Sequence, residues 1–89
     1  MKTLIELYDE RPLENVLSTE VFSPERTVFI CPPEVGRDAR LQQKLREYFA
    51  HRGVQAELEF VTASLLDASA VAKHLREVVA RYPDCALDI

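Results

Sequence analysis

The chain has 89 residues, 47 % hydrophobic and 29 % charged, with 11 Lys and Arg against 15 Asp and Glu for a formal charge of -4. That length gives one small domain burying roughly 60 to 65 % of the surface its unfolded form exposes, and the composition excludes a disordered or fibrous chain. The acidic balance supplies no field to gather duplex nucleic acid, no apolar run approaches the roughly 20 residues of a membrane span, and no signal peptide is legible, so a cytoplasmic protein is expected.

Thr3 to Tyr8 is rich in Leu and Ile, as in a strand buried on both faces. Glu6 interrupts it. A carboxylate in a central strand must find a donor, stay near solvent at a rim or interface, or shift its pKa. The loop Asp9 to Arg11 precedes Pro12, which suits the first turn of a helix because its missing N–H would be unpaired there anyway. Asp9 or Glu10 can cap that helix or meet its positive end. Leu13, Val16 and Leu17 give it an apolar stripe, and Ser23-Pro24-Glu25 closes the connection.

Thr27 to Cys31 is a short apolar run closed by Pro32-Pro33, and predicts a second buried strand. A helix is expected from about Arg37 to Arg52, with Leu41, Leu45, Tyr48 and Phe49 on one face and Gly53 as its stop. Val54 to Val61 alternates, with Val54, Ala56, Leu58 and Phe60 facing one way and Gln55, Glu57 and Glu59 the other. That pattern predicts an edge strand with one wet face. Asp67 opens a third helix whose apolar face holds Ala70, Val71, His74, Leu75, Val78 and Val79, and Pro83 ends it. Cys85 to Ile89 begins a fourth strand.

This order predicts an α/β fold, a Rossmann-like three-layer sandwich whose parallel sheet has four strands in the order 3-2-1-4 with three helices. The switch point then falls between strands one and four, and the crevice there is where such sheets bind ligands. Tyr8, Asp9, Glu10 and Arg11 line one side of it. Ending inside a strand, residues 1–89 read as the N-terminal part of a longer protein, truncated after strand four.

Several chemical patterns compete. Cys31-Pro32-Pro33-Glu34-Val35-Gly36-Arg37 has the Cys-x5-Arg spacing of phosphatases that use a thiolate nucleophile and an arginine on the oxyanion. Yet Pro32 and Pro33 remove two backbone donors from the loop, and Glu34 repels a dianion. Cys31 and Cys85 lack the paired spacing of a zinc or redox site, and are expected to be free, partly buried thiols. His51 is expected near a helix end and His74 at a helix–sheet margin, neither with ligand-spaced neighbours. Arg11 can hold a phosphate bidentately or pair with Glu10 or Glu14, while Asp9, Glu10 and Asn15 could read ribose or base edges. No cofactor motif, Walker sequence, catalytic triad or metal-ligand cluster is present, so neither a cofactor nor a metal is expected.

Thr3 to Leu17, Thr-Leu-Ile-Glu-Leu-Tyr-Asp-Glu-Arg-Pro-Leu-Glu-Asn-Val-Leu, resembles the N-terminal part of a family of bacterial proteins of unknown function, itself similar to the CARF (CRISPR-associated Rossmann-fold) domain joined to a restriction-endonuclease-like domain. Arg26-Thr-Val-Phe-Ile and Ala86-Leu87-Asp88-Ile89 extend the likeness. The resemblance implies a homodimeric sensor of cyclic oligoadenylate in CRISPR-linked antiviral defence, its ligand at the C-terminal ends of strands one and four and its signal passed to a downstream nuclease domain. The ligand-binding positions it implies are Tyr8, Asp9, Glu10, Arg11 and Asp88. A ligand-free dimerisation scaffold is the remaining alternative beside the phosphatase-like one.

Overall fold

The structure, a computed structural model, describes residues 2–8 and 12–88, with the side chains of residues 12–15 and 88 left aside. The described residues form strands β1 (Thr3–Leu7), β2 (Arg26–Cys31), β3 (Glu57–Thr62) and β4 (Cys85–Asp88), and helices α1 (Pro12–Phe22), α2 (Pro33–Gly36), α3 (Ala39–His51) and α4 (Ala68–Arg81). The sheet is wholly parallel in the order β3-β2-β1-β4. The expected α/β order is therefore the observed one.

Parallel neighbours need long crossovers, and helices supply each of them, so the central strands are covered on both faces. On one face Val16 of α1 and Phe49 of α3 pack on Phe29 of β2, with Val54, Leu58 and Phe60 around them. Phe29 meets Phe49 edge-on at 6.0 Å and lies nearly parallel to Phe60 at 5.5 Å; each such pair is worth about 0.5–1.5 kcal/mol beyond its burial. On the other face Val78, with Leu75 and Tyr82, packs on Ile5, Val28 and Ile30. These two clusters are the cores between the sheet and the two helix layers of a three-layer sandwich.

Local chemistry sets the element ends. Asp38 accepts a hydrogen bond from the Leu41 N–H, and Asp67 accepts from those of Ser69 and Ala70, so both helices begin on aspartate caps. Gly53 stands at φ 79°, where glycine is favoured, and the Val54 N–H reaches back to the Phe49 carbonyl. Ser23, at φ 47°, ends α1 in the same way, with Pro24 following.

The expected helix from Arg37 to Arg52 is two pieces. Pro33 starts the single turn α2, the Arg37 N–H closes on the Pro33 carbonyl, and α3 begins after Asp38. The expected strand from Val54 starts only at Glu57, whose N–H donates to the Glu25 carbonyl. Leu17 does not share the inward side expected of it beside Val16: Val16 is buried and Leu17 is 46 % exposed.

Candidate ligand site

The crevice at the switch point begins with β1. Glu6 stands opposite Asp88 of β4 in the parallel register, so the C-terminal ends of the two strands lie side by side. Two residues beyond Glu6, the Tyr8 N–H donates to the Ile30 carbonyl at 2.9 Å, which extends the β1–β2 ladder to the mouth of the crevice and leaves the Tyr8 residue half-buried. Asp9, Glu10 and Arg11 lie outside the described residues, as does the side chain of Asp88. Of the five expected positions, the structure thus places Tyr8 just past the end of β1 and the Asp88 backbone at the end of the adjoining β4.

Glu6 is neither at a rim nor at the sheet's edge. It is 1 % exposed, and the Thr19 hydroxyl of α1 donates to its Oε2 at 3.1 Å. The Thr27 hydroxyl of β2 lies 3.4 Å from that of Thr19. A carboxylate this deep requires donors, because burial without them costs several kcal/mol. Among the described residues every buried side-chain nitrogen or oxygen has a hydrogen-bond partner. The sequence announces Glu6's need for a donor. Thr19 could not be singled out for it, since threonine mid-helix carries no signal of its partner.

The Cys31-to-Arg37 segment is arranged unlike a phosphate cradle. Cys31 is buried, its thiol donates to the Val61 carbonyl at 3.6 Å, and burial pushes its pKa from 9.0 up to about 11. A thiol in that state is protonated at neutral pH, the poor form for a nucleophile. The N–H groups of Val35, Gly36 and Arg37 turn back onto the carbonyls of Pro32 and Pro33, and so are spent inside α2 rather than aimed at an anion. Both cysteines are free, Cys31 buried and Cys85 half-buried. His51 is exposed, and His74 lies 3.5 Å from Glu77 on the same helix. Among the described residues no group of His, Cys, Asp and Glu is placed to hold a metal ion, and no helix is long and apolar enough to cross a membrane.

A second concavity was not legible in the sequence. An open groove of about 960 Å³ follows β3 at the opposite edge of the sheet, lined in part by Gln42, Arg46, Phe49 and Phe60. Arg46 rests its guanidinium 5.4 Å above the Phe60 ring. Its size alone does not make it the ligand site: it is open, and its other wall carries Arg26 already bound to Glu57 at 2.8 Å. The switch point has the stronger topological warrant. Compared with known families, curated proteins and solved structures, the chain matches none.

Proposed function

We propose that this chain is a ligand-sensing regulatory domain that binds cyclic oligoadenylate at the C-terminal ends of β1 and β4 in a cytoplasmic homodimer. Its bound state controls a downstream nuclease domain in CRISPR-linked antiviral defence. The observation that carries the reading is the strand order, with Glu6 of β1 beside Asp88 of β4, because a parallel sheet opens its crevice where neighbouring crossovers diverge. The resemblance of Thr3 to Leu17 supplies the ligand class.

In this reading Arg11 grips a phosphate through its planar fork, and Tyr8, Asp9, Glu10 and Asp88 contribute stacking and hydrogen bonds to ribose and base. A ring with two-fold symmetry meets two copies of the same half-site across a two-fold axis. The formal charge of -4 makes such local grip necessary, since the domain as a whole repels an anion.

Calorimetric titration with cyclic tetra-adenylate and cyclic hexa-adenylate, with light scattering on the same samples, tests the proposal. The expected result is saturable heat with one of the rings at one ring per two chains, weakened at least about tenfold by Arg11→Ala. No heat with either ring overturns it, and a dimer without heat turns the reading to the scaffold.

A further inference from the structure

Helix α1 carries apolar residues on two sides. Val16 is buried against Phe29 and Phe49, while Leu17 is 46 % and Val21 77 % exposed. At about 100° per residue, Leu17 and Val21 lie a turn apart on the side nearly opposite Val16 and Thr19. Hydrophobic burial is non-directional, so it would accept either side against the sheet, and the helix's own patterning chooses weakly between them.

The polar contacts do choose. Thr19 stands on the inward side, and its one hydroxyl proton goes to Glu6 Oε2 at 3.1 Å. The 3.4 Å contact between hydroxyls therefore has Thr27 donating to Thr19, giving a directed chain from β2 through α1 to β1. Turning Leu17 and Val21 inward would take that donor away from a carboxylate that is 1 % exposed.

The start of α1 inherits that choice. One end of the link from β1 is fixed where the Tyr8 N–H meets the Ile30 carbonyl, the other is Pro12 at the start of α1, and only residues 9–11 lie between. A link that short spans at most about 14 Å, so the start of α1 is held near the end of β1 and a slide or rotation of the helix is felt at the crevice.

We infer that Glu6 and Thr19 are positioning residues, whose hydrogen bond sets the facing and height of α1 on the sheet and thereby where the start of α1 stands relative to the C-terminal ends of β1 and β4. The effect on a ligand rests on the sensing reading above; the effect on α1 does not. The test is hydrogen exchange on the full chain in the paired variant Glu6→Leu/Thr19→Val, which removes acceptor and donor together and keeps their volumes, beside Thr19→Ser, which retains the hydroxyl. The expected result is cooperative melting in both, at least tenfold faster exchange of α1 amides relative to those of α3 and α4 in the paired variant, and wild-type exchange in Thr19→Ser. Exchange in α1 that rises no more than elsewhere overturns the inference. If the paired variant does not melt cooperatively, Thr19→Val against Thr19→Ser gives the same comparison with the same two outcomes. In parallel, the paired variant loses at least tenfold in affinity for whichever adenylate ring the wild type binds. A wild type that binds neither ring removes the sensing reading, while the exchange result still decides the role of Glu6 and Thr19.

Discussion

At the residue scale, Cys31 and Gly36 are shaped by the same crowded end of β2. Burial raises the Cys31 thiol from 9.0 to about 11, so the folded state holds this proton more tightly than the unfolded chain does. The stability that follows is fully present below pH 9.0 and is lost as pH climbs toward about 11. Urea midpoints across that window should therefore fall more steeply in the wild type than in Cys31→Ala, the difference reaching up to about 2 kcal/mol. Equal slopes would show that the thiol is not protected. Gly36 has a different reason for its identity: a Cβ there would run into the Thr62 hydroxyl and stand 3.2 Å from the Thr62 Cβ. Gly36→Ala is expected to cost about 1–3 kcal/mol in chemical denaturation, with part of the cost recovered in a Thr62→Ala background. Full cost in both backgrounds would exclude the contact as its cause.

At the scale of elements, β3 is the strand whose alternation the sequence displayed most clearly, and its polar face is less wet than alternation implies. Glu59 is half-buried, accepting from the Tyr82 hydroxyl at 2.9 Å and from Arg81 at 2.9 Å, so the last turn of α4 folds over the strand's margin. The Tyr82 ring in turn carries the guanidinium of Arg26 at 4.7 Å and that of Arg81 at 5.3 Å. Its hydroxyl is held protonated above the usual tyrosine range, first by the hydrogen bond to Glu59. Tyr82→Phe should lower stability by about 0.5–1.5 kcal/mol and speed amide exchange in β3 more than in β1. A loss shared evenly by the two strands would mean that the clasp does not secure the edge. Caps and stops were legible at this scale because Asp67 and Gly53 act through their own backbone neighbours. The turn α2 was hidden because Pro32-Pro33 announces the end of a strand as strongly as the start of a helix.

Across the whole molecule, strand order followed from two local patterns, the doubly buried runs Thr3–Leu7 and Arg26–Cys31 and the alternating Glu57–Thr62, because an edge and a centre leave different residues in a strand. Which way α1 faces did not follow. Val16, Leu17 and Val21 are all apolar, and the partner that selects among its sides, Glu6, lies on another element. The candidate site was legible as a place, the C-terminal ends of β1 and β4, but the groove along β3 was not, since it arises from how α3 stands off from the strand.

The pairing of β1 with β4 also constrains how this chain reaches its native state. Thr3, at the start of β1, finds its partner in Cys85 of β4, so an outer ladder of the sheet joins strands about eighty residues apart in the sequence. Closing so wide a loop is entropically costly and slows folding, whereas β1 with β2, and β2 with β3, can assemble from nearer neighbours. During synthesis, β1 therefore leaves the ribosome before β2, β3 and β4, and it has both its edges satisfied only once β4 has followed.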